Sequence, residues 1–214
     1  MNLANKITMI RMILIPFIIV LMIIFPFGLL FNVWDTTIGT EHYQLPISYL
    51  IGGVLFVLAS ITDAIDGYVA RSRKQITTFG KFFDAIADKL LTNSVLIIFT
   101  VANMVPIWLT LIFVLRDFLI DAVRQVLATK KVVMAANKAG KYRAATEMLG
   151  LTILFFVGNG IIVNIDINGS MGMYGFINQI VLIPLYISAF LSVYSAYNYM
   201  KINRKALFVF EKEE

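Results

Sequence analysis

Long apolar runs separated by short polar segments dominate this sequence. A helix needs about 20 apolar residues to cross a bilayer core, and six segments come close to that length. The predicted spans are residues 7–31, 46–70, 82–104, 106–128, 144–165 and 174–200. The pattern therefore predicts an all-α integral membrane protein with six transmembrane helices, formed by a single membrane-embedded domain over residues 1–214.

The composition agrees with a membrane location. Of the 214 residues, 59% are hydrophobic and 14% are charged, whereas about a quarter of the residues of a soluble domain are charged. The chain has no cysteine, which excludes disulfides and thiolate metal ligands. The first apolar run, 12–30, is too long for the apolar region of a signal peptide, and no small-residue cleavage site follows it. We therefore predict a retained transmembrane helix there.

The basic residues are distributed unequally between the two sets of connecting segments. Segments 32–45 and 158–173 and the turn near 104 contain no Lys or Arg. Nearly all 18 basic residues lie in or near the other set, which is the N-terminus, 71–81, 129–143 and the C-terminal tail. This asymmetry predicts an even number of spans with both termini cytoplasmic. The lack of cysteine and of a targeting segment fits a bacterial inner or plasma membrane. The net charge of +5 then describes one membrane face and does not indicate nucleic-acid binding.

Four aspartates lie within the short segment "DAIDGYVARSRKQITTFGKFFDAIAD" (63–88). Asp63 and Asp66 share one face at the end of the second span, and Asp84 and Asp88 share one face at the start of the third. Because these helices are antiparallel neighbours, we expect the four carboxylates to converge just inside the cytoplasmic interface. Buried anions require compensation, and oxygen ligands of this kind suit Mg²⁺ or Mn²⁺.

Two such ions, about 3.5–4 Å apart, would form a clamp for a phosphoryl-type displacement. The neighbouring residues fit that use. Gly67 and Ala70 leave room for a ligand, Gly80 permits close approach of the loop, and Arg71 can hold a phosphate with two hydrogen bonds. The alternative is that the aspartates form ordinary interfacial ion pairs with nearby lysines, namely Lys74, Lys81 and Lys89.

The aspartate segment resembles the motif D-x-x-D-G-x-x-A-R followed by G-x-x-x-D-x-x-x-D of the CDP-alcohol phosphotransferases. The matching positions, with no departure, are Asp63, Asp66, Gly67, Ala70, Arg71, Gly80, Asp84 and Asp88. The resemblance implies a six-helix membrane enzyme, usually a homodimer, that transfers a CDP-linked phospho-alcohol group to an acceptor alcohol and releases CMP. It implies that Asp88 completes the metal cluster and acts as the general base. The implied CDP-binding residues are Asp63, Asp66, Gly67, Ala70, Arg71, Thr77 and Gly80.

Three further stretches resemble those of the phosphatidylglycerophosphate synthases within that family. They are "NLANKITMIRMILIPF" (2–17), "LRDFLIDAVR" (115–124) and "NKAGKYRAATEM" (137–148). The implied substrates are CDP-diacylglycerol and glycerol 3-phosphate. The enzyme would also contact the lipids of the membrane. The chain departs from that pattern at five positions: Asp117 replaces Glu, Asp121 replaces Ser, Arg143 replaces Lys, Ala144 replaces Thr, and Glu147 replaces Gln.

A phosphorylated acceptor is also indicated by the positions of basic residues. Arg116 lies well inside the fourth span, where a lone arginine is costly. Other basic residues cluster at the cytoplasmic start of the fifth span. With two residues added from the resemblance, the predicted acceptor site consists of Thr8, Arg11, Arg116, Lys138, Lys141 and Arg143. The alternative for Arg116 is an ion pair with Asp117 or Asp121.

Other functions remain open from the sequence. Within the family, the acceptor could be phosphatidylglycerol, as in a cardiolipin synthase, or serine or inositol. In another class, the aspartates could form the ion site of a divalent-cation transporter. The sequence disfavours that class, because the carboxylates lie near one interface and no paired broken helices occur in two related halves. A membrane scaffold would not explain clustered charge within apolar segments.

Overall fold

Six helices occur within the residues that the structure describes, as the apolar pattern predicts. The structure, a computed structural model, describes residues 3–24, 32–38, 41–72, 78–129, 138–157 and 176–208. The helices are α1 (Leu3–Ile24), α2 (Ile47–Ser72), α3 (Thr78–Val101), α4 (Ile107–Thr129), α5 (Lys138–Val157) and α6 (Phe176–Phe208).

A short β-hairpin lies between α1 and α2, where the sequence analysis placed only a connecting segment. Strand β1 (Asn32–Ile38) pairs antiparallel with β2 (Glu41–Pro46), and Ile38 lies opposite Glu41. The pairing is irregular between Asn32 and Trp34. The hydropathy pattern could not reveal this hairpin, because strand pairing depends on hydrogen bonds between two segments and not on a continuous apolar run.

The helix ends differ from the predicted spans at several places. Helix α5 begins at Lys138, before the predicted start at 144, and α6 continues to Phe208, beyond the predicted end at 200. The added residues include lysine, arginine and alanine, which are good helix formers but not apolar enough to count as membrane span. Hydropathy therefore marks the apolar part of each helix and not its full length.

One stretch within the described residues is long and apolar enough to cross a membrane, by length and composition alone. It is Asn178–Arg204 in α6, which has 27 residues and a mean hydropathy of 1.8. Two shorter apolar stretches are Thr8–Ile23 in α1 and Ile47–Asp63 in α2. The six spans and the cytoplasmic location of the termini therefore stay predictions.

The predicted tight turn between the third and fourth helices is present. The amide of Met104 donates to the carbonyl of Phe99 (2.8 Å), and that of Asn103 donates to Thr100 (3.0 Å). Asn103 has a φ of 58°, so this is a Schellman-type helix end with a left-handed residue after the last turn. The hydroxyls of Thr100 and Thr110 hydrogen-bond across the hairpin, which joins α3 to α4.

An aromatic cluster forms the centre of the apolar core. The ring of Phe155 on α5 lies 5.4 Å from that of Phe56 on α2 and 4.8 Å from that of Phe99 on α3, between centroids. Tyr49 packs edge-on against Phe99 at 5.9 Å. The three phenylalanines are fully buried, so this cluster fixes α2, α3 and α5 relative to one another.

Two glycines allow α5 to approach its neighbours closely. A Cβ atom at Gly53 on α2 would lie 2.7 Å from the Cβ of Phe155. A Cβ atom at Gly150 on α5 would lie 2.7 Å from the Cγ of Leu185 on α6. Any larger residue at either position would force the helices apart, and α5 and α6 form the most extensive helix contact in the described chain.

Helix α1 packs along both α2 and α3. Within the described residues, α2 and α3 contact each other only slightly. The sequence analysis expected these two helices to pack side by side and did not assign a role to α1 in their packing. This arrangement places α1 beside the two helices that carry the four aspartates.

Candidate active site

The first aspartate of the motif is paired with an arginine from α1. The Nη1 of Arg11 donates to Oδ1 of Asp63. The side chain of Arg11 is buried, whereas that of Asp63 is 31% exposed. The sequence analysis placed these residues in different parts of the site, with Arg11 binding the acceptor and Asp63 binding metal. The structure brings them into direct contact at the junction of α1 and α2.

Asp88, the predicted base, is half-buried on α3, a helix that contacts α5. Its backbone carbonyl accepts a hydrogen bond from the hydroxyl of Thr92 (3.1 Å), within the same helix. The carboxylate of Glu147 on α5 is close enough to Asp88 for the two negative charges to repel each other. The proposed base therefore lies within electrostatic range of the helix that carries the predicted acceptor residues.

The described carboxylates fit a hard cation but do not by themselves form a complete metal site. Among the described side chains, no group of three or more His, Cys, Asp or Glu could hold a metal ion. Asp63 and Asp88 are described, whereas the side chains of Asp66 and Asp84 lie outside the described residues. The two described carboxylates supply oxygen ligands of the kind that Mg²⁺ and Mn²⁺ prefer, and Asp63 already contacts a cationic group.

The predicted CDP-binding residues fall mostly outside the described side chains. Gly67, Ala70 and Arg71 lie on the last turns of α2, where only the backbone is described. Gly80 lies in the first turn of α3. Thr77 lies outside the described residues. The motif thus spans the end of α2 and the start of α3, as predicted, and the contacts of the CDP site stay a prediction.

Two arginines of the predicted acceptor site, Arg116 and Arg143, belong to a buried ion network. At its centre is Asp117 on α4, which is 4% exposed. Its Oδ1 accepts from Nη1 of Arg116 (3.0 Å) and from Nη1 of Arg143 (2.9 Å), and its Oδ2 accepts from Nη2 of Arg143 (3.2 Å). The alternative considered for Arg116, an ion pair with Asp117, is therefore present in the structure.

Glu147 and two serines of α6 extend this network. Glu147 is 3% exposed, and its Oε2 accepts from Nη2 of Arg143 (2.8 Å), one turn earlier on α5. Arg116 donates through Nη2 to the hydroxyl of Ser195 (3.3 Å), and Ser188 donates to the backbone carbonyl of Arg143 (3.0 Å). The network thus joins α4, α5 and α6 through charged and polar contacts.

The remaining predicted acceptor residues are spread over α1 and the start of α5. Thr8 is buried on α1, one turn before Arg11. Lys141 is exposed on α5. Lys138 is the first residue of α5, and its side chain lies outside the described residues. The structure therefore brings Arg116 and Arg143 together, whereas a shared site with Thr8, Lys138 and Lys141 stays a prediction.

A second ion pair links α3 to α4 next to the proposed base. Lys89 donates to Oδ2 of Asp121, and Arg124 lies 3.5 Å from Oδ1 of the same carboxylate. The alternative from the sequence was that Lys89 and its neighbours pair with the four motif aspartates. In the described structure, Lys89 instead pairs with an aspartate outside the motif.

The sequence analysis did not assign a role to Glu147, Ser195 or the pair of Lys89 with Asp121. The spacing of four residues between Arg143 and Glu147, and of three between Asp121 and Arg124, is a signal for ion pairs along one helix. No spacing within one segment indicates the contacts between helices. Four of the five departures from the resembled pattern, Asp117, Asp121, Arg143 and Glu147, form ion pairs in the structure.

The chain belongs to the CDP-alcohol phosphatidyltransferase family, whose sequence profile matches residues 1–199. This is a family of membrane-bound enzymes. The chain is 39% identical over 154 residues to a protein of Bacillus subtilis (strain 168), which covers 72% of this chain and 76% of that protein. It is 33% identical over 205 residues to a protein of Rickettsia bellii (strain RML369-C), and this match covers 95% of this chain and 96% of that protein.

A third relative, from Rickettsia felis (strain ATCC VR-1525 / URRWXCal2), is 34% identical over 205 residues, which covers 95% of this chain and 96% of that protein. All three relatives are named CDP-diacylglycerol–glycerol-3-phosphate 3-phosphatidyltransferase.

Proposed function

We propose that this protein transfers the phosphatidyl group of CDP-diacylglycerol to glycerol 3-phosphate, giving phosphatidylglycerophosphate and CMP. The observation that carries the proposal is the similarity of nearly the whole chain to bacterial relatives named for this activity, such as the 33% identity over 205 residues to the Rickettsia bellii protein. The aspartate motif supports the same chemistry, because carboxylates near a membrane interface suit the metal-assisted transfer of a phosphate-linked group.

In the proposed reaction, a hydroxyl oxygen of glycerol 3-phosphate attacks the phosphorus that carries the diacylglycerol. A new phosphorus–oxygen bond forms there, and the bond from that phosphorus to CMP breaks. The proton of the attacking hydroxyl passes to Asp88 as general base. The family generally uses divalent metal ions, which would neutralise the pyrophosphate and stabilise the leaving CMP.

The donor side of the site is assigned to the two ends of the aspartate motif. Metal ligation, by two ions of Mg²⁺ or Mn²⁺, is assigned to Asp63, Asp66, Asp84 and Asp88. The CDP group is assigned to Asp63, Asp66, Gly67, Ala70, Arg71, Thr77 and Gly80. The pairing of Asp63 with Arg11 supports this assignment indirectly, since it holds the Asp63 carboxylate in a fixed position at the end of α2.

The acceptor phosphate is assigned to one threonine and five basic residues of α1, α4 and α5. These are Thr8, Arg11, Arg116, Lys138, Lys141 and Arg143. In the buried network the charges of Arg116 and Arg143 are balanced by Asp117 and Glu147. The lysines at the start of α5 would therefore supply the net positive charge, while the arginines supply hydrogen-bond donors in fixed positions. The Nε atoms of Arg116 and Arg143 have no hydrogen-bond partner among the described residues, so they remain as such donors.

The cellular setting follows from the same assignment. We propose that residues 1–214 form one catalytic domain embedded in the bacterial inner or plasma membrane. Both termini and the active site would lie on the cytoplasmic side. The basic residues near that side support this orientation. The lipid tails of the donor would stay in the bilayer while its headgroup reaches the aspartates. A homodimer is proposed on the basis of the family resemblance.

An acceptor panel tests the proposed function. Purified protein in detergent, with Mg²⁺ or Mn²⁺ and CDP-diacylglycerol, would be given glycerol 3-phosphate, serine, inositol or phosphatidylglycerol. The proposal predicts CMP release with glycerol 3-phosphate and none above background with the others. CMP release with a different acceptor would replace the acceptor assignment. A transporter or scaffold would release no CMP with any of them.

A further inference from the structure

We propose that Glu147 is a positioning residue for the acceptor site and that it acts through Arg143. This inference rests on the proposed function, because it concerns how the acceptor's phosphate is bound. It differs from the assignment above, which gives Arg143 a role but none to the carboxylate beside it. The structural basis is the way in which two carboxylates hold one guanidinium group.

The guanidinium of Arg143 is fixed on several sides. Asp117 accepts from Nη1 (2.9 Å) and Nη2 (3.2 Å), and Glu147 accepts from Nη2 (2.8 Å). The carbon at the centre of the guanidinium lies 5.7 Å from the centre of the Phe113 ring, over its face. The Nε atom is buried and has no hydrogen-bond partner among the described residues. The two carboxylates therefore fix the plane of the guanidinium.

Arg143 and Glu147 lie one turn apart on α5, and their side chains form an ion pair. A lysine ammonium is a compact charge whose donors rotate, so it needs no fixed neighbour to present one of them. A guanidinium is planar, and its donors are useful only if the plane is held correctly. Glu147 supplies that restraint and also balances the charge of Arg143.

The location of this pair links it to the reaction. Glu147 is close enough to the proposed base, Asp88, for their charges to interact. Arg143 lies on α5 between the exposed Lys141 and Glu147, and its backbone carbonyl is bonded to Ser188 of α6. A change in the orientation of Arg143 should therefore affect binding of the acceptor more than binding of the CDP group, which is assigned to the end of α2 and the start of α3, outside this network.

The test is a cycle of four proteins: the unmodified chain, Arg143→Lys, Glu147→Gln, and the double variant. The Michaelis constants for glycerol 3-phosphate and for CDP-diacylglycerol would be measured for each, together with the thermal unfolding temperature. Each single variant should raise the constant for glycerol 3-phosphate about tenfold, the size of one lost charge-assisted hydrogen bond. In Arg143→Lys the new ammonium is held by both Asp117 and Glu147. In the double variant it keeps only Asp117 as an acidic partner, so the constant should return to within about threefold of the unmodified value.

Asp121→Asn is the matched control, because it removes a carboxylate from an ion pair outside the network. It should leave the constant for glycerol 3-phosphate unchanged. The proposal is wrong if the increases in the Michaelis constant for glycerol 3-phosphate in the two single variants simply multiply in the double variant. It is also wrong if the Michaelis constant for CDP-diacylglycerol rises as much as that for glycerol 3-phosphate. It is also wrong if the single variants lower only the unfolding temperature, which would mark a purely structural pair.

Failure of the proposed function would look different. If the unmodified protein releases CMP with another acceptor and not with glycerol 3-phosphate, the acceptor assignment is wrong. The same cycle is then run with the acceptor that is used. Rescue in the double variant would still support a positioning role for Glu147, and multiplying effects would still exclude it.

Discussion

Replacing Asp117 by asparagine tests the buried network most sharply. Asp117 is 4% exposed and accepts three hydrogen bonds, at 2.9, 3.0 and 3.2 Å, from Arg116 and Arg143. Asparagine has nearly the same shape, so packing is conserved. It has no negative charge, and its amide nitrogen would face guanidinium donors. Two arginines would then share Glu147 as their remaining acidic partner in the described network.

The expected loss of stability follows from the burial of this group. Removing one partner of a buried ion pair destabilises a protein by about 3–5 kcal/mol. For a chain of this size, 1 kcal/mol corresponds to about 2–4 °C, so the unfolding temperature should fall by roughly 6–20 °C. Asp121→Asn is the matched control on the same helix. The side chains of Asp121 and Lys89 are 35% and 30% exposed, and an ion pair that reaches solvent contributes only about 0–1 kcal/mol. The unfolding temperature of the control should therefore fall by no more than about 4 °C.

The measurement is thermal unfolding of the purified variants in one detergent, followed by intrinsic fluorescence. We expect the unfolding temperature to fall much more in Asp117→Asn than in Asp121→Asn. Equal falls, or an unchanged unfolding temperature for Asp117→Asn, would show that the network contributes no more than a surface pair. The account of how α4, α5 and α6 are joined would then be refuted.

Four further predictions concern packing and chemistry. Gly150→Ala should lower the free energy of unfolding by about 1–3 kcal/mol, because its Cβ would lie 2.7 Å from the side chain of Leu185 on α6. Gly140→Ala is the control in the same unfolding assay. It should be tolerated, because its Cβ would lie 3.5 Å from the nearest side-chain atom. Asp63→Asn should raise the Mn²⁺ concentration needed for half-maximal CMP release, and an unchanged requirement would argue against metal ligation. Asp88→Asn should abolish turnover while CDP-diacylglycerol still binds in an equilibrium assay; full activity would exclude it as the base. Arg116→Ala should raise the Michaelis constant for glycerol 3-phosphate more than that for CDP-diacylglycerol, and equal increases would contradict an acceptor role.

The helices and the family could be predicted from local sequence. Apolar runs indicated six helices, and the turn between α3 and α4 followed from a short polar break before Pro106. The aspartate motif identified the family because its positions lie within one segment of the chain. These features depend on residues close together in sequence, for which spacing is informative.

The partners of charged residues could not be predicted in the same way. Arg11 reaches Asp63 because α1 packs along both α2 and α3, and nothing in either segment specifies that packing. Likewise, Lys89 pairs with Asp121 and not with a motif aspartate. Arg116 sits beside Asp117 in sequence, but its contact with Ser195 depends on how α4 meets α6. Such choices are set by the relative positions of helices, which hydropathy does not record.

The central claim is the transfer of a phosphatidyl group to glycerol 3-phosphate by the aspartate site. It is tested most directly by incubating the purified protein with CDP-diacylglycerol and isotopically labelled glycerol 3-phosphate, then measuring labelled lipid and CMP together. The account predicts equal amounts of CMP and labelled phosphatidylglycerophosphate with the unmodified protein, and neither with Asp88→Asn. CMP release without label in the lipid, or equal product from both proteins, would contradict it.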